Sequence, residues 1–495
     1  MEAKSNYLAF DLGAESGRAI VGGFDGTRID LQTIHRFPNG PIRVFDSLYW
    51  DTPRLYAEMR HGFDAYVQAH GTSLEGVGLD TWGVDFALLD HDGRLLSMPY
   101  NYRDPRTAGM FDAVFARVPR HEVFEQTGIQ FMEINTLYQL FAMRMAGDPV
   151  LDLAETFLMI PDLFNYWFTG IKRCEFSDAT TTQFWDPRRQ AWATDLLARL
   201  SLPTHIFPPV VQPGTVIGDL HANIAEETGL RGVPVIAPAC HDTGSAVAAV
   251  PATGEDFAYI SSGTWSLMGI ETREPIITEE SLAYNFTNEG GVCGTFRFLK
   301  NIMGLWLVQQ CRATWAQEGE ELSYDEITAM AAEAPAFGAL VDPDCPDFLR
   351  PGDMPSRIRA YCQRAGQTPP ESKGAIVRTA LESLALRYRW TLEKLELMLG
   401  RPLNRIHIVG GGIQNKLLCQ FAADATQREV VAGPVEATAA GNVLMQAMAR
   451  GHIGSLEEAR EVVRNSFGLA TYEPGDASPW DEAYGKWLEL LAMEA

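Results

Sequence analysis

The chain opens with a pattern that few folds accept. An apolar run over 7–11 ends in Asp11, a turn holding Gly13 and Gly17 follows, and a second apolar run occupies 18–24. Asp25-Gly26 then signals a hairpin into a third run over 28–37. The order is strand, glycine turn, strand, hairpin, strand. A Rossmann unit would go from its glycine turn into a helix.

A helix is predicted over 53–69, where Leu55, Met59, Phe63 and Val67 recur every four residues. Strands are expected over 77–81 and 233–239, with a helix-rich stretch at 110–170 and a proline-rich extended stretch at 202–213. Near residue 250 the opening pattern returns. A strand over 258–262, a Gly263-Thr264 turn and a strand over 265–271 echo the first hairpin. One echo of this kind points only weakly to a duplicated domain, because glycine turns are common. A long amphipathic helix is expected over 375–399, with Val377, Leu381, Leu384 and Tyr388 on one face. A strand over 405–409, three glycines at 410–412 and a helix over 415–425 follow.

Length fixes scale: 495 residues exceed one ordinary core and suggest more than one domain. With 40 basic against 64 acidic residues the net charge is −24, which argues against nucleic-acid and anionic-membrane surfaces. A small anionic ligand needs only local positive potential and stays open. Seven cysteines without a CxxC pair read as reduced thiols of a cytosolic chain, although Cys345 and Cys362 are conceivable oxidation partners. No signal-peptide pattern opens the sequence and no apolar stretch is long enough to span a bilayer, so the expectation is a cytoplasmic protein. The oligomeric state is left as monomer or small homo-oligomer.

Five stretches carry candidate chemistry, each with an ordinary alternative. In 11–18, backbone N–H groups of the glycine turn could cradle phosphate, and Asp11 could hold Mg²⁺ directly or through water; the alternative is a plain hairpin, and Glu15 must point away from any phosphate. Ser261-Ser262-Gly263-Thr264 suits a second phosphate clasp or another turn. Gly410-Gly411-Gly412 nearly matches a dinucleotide fingerprint, but Asn415 replaces the last glycine; it equally suits a flat bed for a base or ribose, or a tight turn. Asp242 ends an apolar strand beside small residues, where α/β proteins place catalytic groups, and is equally suited to capping the helix after it. Trp82 could stack on a sugar ring or fill a core. GxxxxGK[ST], HExxH and GxSxG are absent.

Taken in order, these stretches resemble the FGGY carbohydrate kinases of the actin-like ATPase superfamily. The resemblance rests on DLGAESGR (11–18), IHRFPNG (34–40), DTWGVDFALLD (80–90), GIQFMEINTLYQL (128–140), CHDTGSAVAA (240–249), YISSGTWSLMG (259–269), LKNIMGLWLVQQ (299–310) and HIVGGGIQN (407–415). Within the family it is to the bacterial members acting on L-rhamnulose. It implies an α/β fold of two ribonuclease-H-like domains, 1–249 for sugar binding and 250–495 for nucleotide binding, with nucleotide and sugar in a cleft between them. The implied reaction is ATP-dependent phosphorylation of the 1-hydroxyl of L-rhamnulose, with Mg²⁺ as cofactor. By position, Asp242 matches the general base. Gly83, His241, Asp242, Thr243 and Asn301 match substrate positions; Ala14, Glu15, Ser16, Gly17, Arg18, Thr264, Gln309 and Gly411 match ATP positions. Ala14 stands where many sugar kinases have Thr, and Cys240 where a small residue is familiar. Other family substrates (L-fuculose, L-xylulose) and an actin-like ATPase switch are the alternatives.

Overall fold

A computed structural model describes residues 4–494 and divides into two compact units. The first gathers the chain up to Ala249 with Glu271–Phe298 and Ala437–Ser466; the second gathers Val250–Ile270, Leu299–Glu436 and the chain from Phe467. A single cut near residue 250 does not describe this division, because two later segments pack with the first unit.

The first unit is built on a six-stranded sheet in the order Thr215–Asp219, Pro234–Ala237, Gly76–Thr81, Ser5–Leu12, Ser16–Phe24, Ile29–Pro38. Ser5–Leu12 runs antiparallel to Ser16–Phe24 and parallel to Gly76–Thr81. Pro234–Ala237 is parallel to Gly76–Thr81 and antiparallel to Thr215–Asp219. Helix Thr52–His70 is capped by Asp51, whose carboxylate accepts the Arg54 N–H, and carries Pro53 in its first turn. Its Leu55, Met59 and Phe63 join Leu8, Phe10, Leu12, Ala19 and Val21 in one core.

Helix Ala437–Ala449 belongs to the same unit. Glycines explain its close packing: a Cβ at Gly78 would strike Asn442 and Gln446, one at Gly22 would strike Val443, and one at Gly441 would strike the Ser245 carbonyl of helix Asp242–Ala248. These absent side chains let the helix settle on the middle of the sheet.

In the second unit, strands Phe296–Met303, Trp265–Thr272, Phe257–Ser262, Arg405–Val409, Glu429–Ala432 and Ala470–Tyr472 follow one another across a sheet. Phe257–Ser262 is antiparallel to Trp265–Thr272 and parallel to Arg405–Val409, which is parallel to Glu429–Ala432. Both units therefore share a plan of hairpin, two parallel strands and an antiparallel edge strand. The echo between the two hairpins in the sequence has its counterpart in this common topology. The edge strand differs: it precedes its neighbour in the chain in the first unit and follows it in the second. Helix Lys373–Leu399 starts at the Ser372 cap and stops at Gly400, whose φ of 68° suits glycine. It buries Val377, Leu381, Leu384 and Tyr388 as its periodicity predicts.

Candidate active site

In the first unit the site grows from the C-terminal ends of three adjacent parallel strands. Strand register sets Asp11 beside Asp80. Asp11 also sits opposite Arg18 across the hairpin and forms an ion pair with it. Asp80 is fully buried and accepts the Asn442 amide at 2.5 Å through Oδ2. Burial first, then the negative charge of Asp11, pushes the Asp80 carboxyl well above the usual range. The turn between the strands is pinned: the Gly13 N–H donates to the Ser16 carbonyl at 2.9 Å, and the Asn39 side chain donates to the Gly13 carbonyl at 2.7 Å. Ala14 and Ser16 are half-buried in this turn and Glu15 is exposed. Gly17 is required by the Phe37 ring, which a Cβ would overlap.

The loop after Gly76–Thr81 is held by one carboxylate. Asp85 Oδ2 accepts from Trp50 Nε1 at 2.6 Å, Trp82 Nε1 at 3.0 Å and the Tyr102 N–H at 3.1 Å, while Oδ1 accepts from Gln139 at 2.9 Å. Burial outweighs these donors and pushes the Asp85 carboxyl up to about 6. Trp82 is buried against Trp50, with ring centroids 3.9 Å apart, so it packs core rather than offering a sugar platform. Gly83 lies under Thr181 and Asp178, where a Cβ would come within 3.0 Å of the Thr181 methyl.

Strand Pro234–Ala237 leads into Cys240-His241-Asp242. The Thr81 N–H donates to the Cys240 carbonyl at 2.8 Å. The helix starts at Asp242 itself, so His241 is the capping position and Asp242 is not. Its carboxylate turns instead to its neighbour: Oδ1 accepts the Thr243 N–H at 2.6 Å, and the side chain remains 32% exposed. That exposure leaves room for a substrate proton donor. His241 is held from behind. Arg297, fully buried, reaches His241 Nδ1 at 3.1 Å and Glu289 at 3.1 Å. Nδ1 lies between this guanidinium and the Glu289 carboxylate, 3.3 Å away, and Nε2 faces Asp242 Oδ1 at 3.5 Å.

Glu175 supports this segment. Its carboxylate accepts the Cys240 N–H at 2.9 Å, the Ser177 N–H at 2.8 Å and the Ser177 hydroxyl at 2.5 Å. That hydroxyl in turn accepts the His241 N–H at 3.1 Å. Burial pushes the Glu175 carboxyl up to about 7.

The second unit brings together two of its glycine motifs. The Gly263 N–H donates to the Trp265 carbonyl at 2.8 Å, closing the hairpin turn. The first N–H groups of helix Trp306–Gln317 and its approach donate back to this turn: Gly304 and Trp306 to the Thr264 carbonyl, and Leu305 to the Gly263 carbonyl. Gly410, at φ 89°, and Gly412 press on Ser262, where a Cβ at either would meet its atoms. Gly411 has nothing within 4 Å of its Cβ position and is exposed. Gln309 sits on helix Trp306–Gln317 with its Oε1 buried and unpartnered by protein. Asn301 is half-buried on strand Phe296–Met303. Asn415 caps helix Lys416–Thr426, its Oδ1 accepting the Leu418 N–H at 2.9 Å, which accounts for the residue that broke the dinucleotide fingerprint.

The model of the FGGY carbohydrate kinases' N-terminal domain matches residues 6–249 and that of their C-terminal domain matches 258–450. The chain belongs to the FGGY family of carbohydrate kinases. ATP is accordingly the co-substrate and a sugar the acceptor. This kinase is 47% identical over 483 residues to the rhamnulokinase of Bacteroides thetaiotaomicron, covering 97% of this chain and 98% of the relative. It is 41% identical over 493 residues to that of Pectobacterium atrosepticum, covering 99% and 97%. Among solved structures, a xylulose kinase from Lactobacillus acidophilus matches with a TM-score of 0.81 at 14% identity, covering 99% of each chain. Glycerol kinase of Plasmodium falciparum matches with a TM-score of 0.77 at 14% identity, covering 99% of this chain and 98% of the other. These likenesses show the two-domain α/β kinase fold. Among the described residues, no helix of the kinase is long and apolar enough to cross a membrane.

Sequence reading of this kinase missed Asp80, Glu175, Glu289 and Arg297 as neighbours of the site. Asp80 opens a quoted stretch and could have been found as an acid ending an apolar run. The other three carry no local signal.

Proposed function

We propose that this kinase transfers the γ-phosphoryl group of ATP to the 1-hydroxyl of L-rhamnulose, giving L-rhamnulose 1-phosphate and ADP in L-rhamnose breakdown, with Asp242 as the general base. The observation that carries the base assignment is the half-exposed Asp242 carboxylate, set at the start of helix Asp242–Ala248 with its Oδ1 fixed by the Thr243 N–H. The choice of sugar is supported by the identity to relatives named rhamnulokinase over nearly their whole length.

A sugar hydroxyl is a poor nucleophile at neutral pH. Asp242 accepts its proton as the bond to phosphorus forms, a contribution of roughly 10²–10⁴-fold. His241, held at Nδ1 by Arg297 and Glu289, sets its Nε2 beside Asp242 and orients it. Gly83, Thr243 and Asn301 are the further sugar positions. The turn 14–18, with Thr264, Gln309 and Gly411, supplies nucleotide positions; the open face over Gly411 is where a flat group fits without a clash.

Asp11 and Asp80 fit a divalent cation: two neighbouring carboxylates offer hard oxygen ligands, and Asp80 Oδ1 is buried without a protein partner. Bound there, Mg²⁺ would neutralise charge on the phosphates being transferred. Among the chain's own residues, Arg18 adds positive charge next to Asp11. A cytoplasmic location and a monomeric or small homo-oligomeric state complete the proposal.

The test is ADP release with ATP and Mg²⁺ across L-rhamnulose, L-fuculose and L-xylulose. L-Rhamnulose is expected to give the highest kcat/KM, with little turnover when sugar is omitted. Preference for another ketose would overturn the substrate, and sugar-independent turnover would favour the ATPase switch. Asp242→Asn is expected to lower kcat by roughly 10²–10⁴-fold; unchanged turnover would remove Asp242 as base.

A further inference from the structure

The stretch at 34–40 carries part of the family resemblance, and its Phe37 and Asn39 brace the turn at 13–17, but its histidine takes no part in the site described above. Its His35 lies on strand Ile29–Pro38, facing helix Thr52–His70. That helix presents Glu58 and His61 three residues apart, on one face. His35 Nε2 lies 2.8 Å from Glu58 Oε2, and His61 Nδ1 lies 3.6 Å from the same oxygen. The three ligand atoms all fall within 4.8 Å of one another. The two imidazoles meet edge to face at 6.1 Å between centroids, and the Phe37 ring backs His35 at 5.4 Å. Arg54 and Arg60 of the same helix are turned elsewhere, to Asp51 and the Pro38 carbonyl, and to Glu227.

We propose that His35, Glu58 and His61 form a binding site for a borderline-soft divalent cation of the Zn²⁺ class, clipping the third strand to the first long helix. Two imidazoles and one carboxylate are the donor set that Zn²⁺, Co²⁺ and Ni²⁺ accept, while Mg²⁺ prefers an all-oxygen set. Zn–N and Zn–O bonds of about 2.0–2.2 Å draw ligand atoms closer than the widest pair here. The adjustment falls to His61, whose side chain is 66% exposed and free to change rotamer, whereas those of His35 and Glu58 are 25% and 24% exposed and set by packing. Three protein ligands on one side leave a fourth position to water. Its nitrogen-containing donor set differs from the all-oxygen Asp11–Asp80 pair.

The experiment is titration of the full-length, metal-stripped protein with Zn²⁺ and Co²⁺ in excess Mg²⁺. Calorimetry, thermal melting and the visible spectrum of Co²⁺ are the readouts. One Zn²⁺ per chain is expected at micromolar affinity or better, with a rise in melting temperature. The Co²⁺ spectrum should show nitrogen and oxygen ligation without thiolate charge transfer, which separates this site from Cys293, the exposed cysteine. His61→Asn is expected to weaken binding at least tenfold, and His35→Gln with His61→Asn to abolish it. The exposed position of His61 makes its variant a fair test even if the double variant melts early. Binding that is unchanged in His61→Asn, that shows thiolate bands, or that is weaker than millimolar would overturn the proposal, leaving a hydrogen-bonded surface cluster.

Discussion

Glu175 is the residue on which the segment 240–242 leans. It touches no expected substrate group, yet it receives the Cys240 N–H directly and the His241 N–H through Ser177. It is therefore a positioning residue. In Glu175→Gln one acceptor oxygen becomes an NH₂ facing donors. The expected result is a loss of about 1–3 kcal/mol in stability and a fall in kcat larger than any change in KM. Equal kcat in the two proteins would show that the segment holds its place without the carboxylate. The same group shapes pH dependence. Its pKa is raised by burial to about 7, and that of Asp85 to about 6. The folded state thus holds protons that the unfolded chain has released, so stability is greatest below the ordinary carboxyl range and falls as pH rises toward 7. Urea midpoints measured from pH 5 to 8 should decline, with a shallower decline in Glu175→Gln. Asp85 and Glu175 also show what reading residues one at a time conceals: in the sequence both are acids like any other, and only their partners make them hubs.

At the scale of elements, the triple glycine separates two reasons for having no side chain. Gly412 is required by Ser262, whose atoms occupy the Cβ position; Gly411 has open space. Gly412→Ala is expected to destabilise the unit by roughly 1–3 kcal/mol through overpacking. Gly411→Ala should leave melting unchanged and raise the KM for ATP several-fold, since its Cβ projects where nucleotide is expected. Unfolding curves and ATP kinetics on both variants check this; equal effects would remove the distinction. The elements themselves were largely legible. The glycine turn and the Asp25-Gly26 signal placed Ser5–Leu12, Ser16–Phe24 and Ile29–Pro38, and apolar periodicity placed Thr52–His70 and Lys373–Leu399, to within a few residues. The start of the helix at Asp242 was not legible, because a cap and a first-turn acid look alike until the backbone direction is known.

For the whole molecule, the net charge of −24 gives the field a sign. An acidic chain repels free nucleotide at long range, and attraction must come from near groups such as Arg18 beside Asp11. Added salt screens the distant repulsion while affecting the close contacts less. The KM for ATP, at fixed free Mg²⁺, is therefore expected to stay flat or fall between low and moderate ionic strength. A steep rise would point to a broad positive field that this composition does not supply.

The sequence by itself determined the two hairpins, the long helices, the glycine motifs and, through their order, the kinase family, because each is written in local spacing. Tertiary structure alone decided that Asn442 donates to Asp80 across 362 residues of chain, that Arg297 stands behind His241 across 56, and that Glu175 holds Cys240 across 65. The physical reason is that parallel pairing and helix docking join segments through the register of a whole sheet. A buried polar group finds its partner only after that register is set.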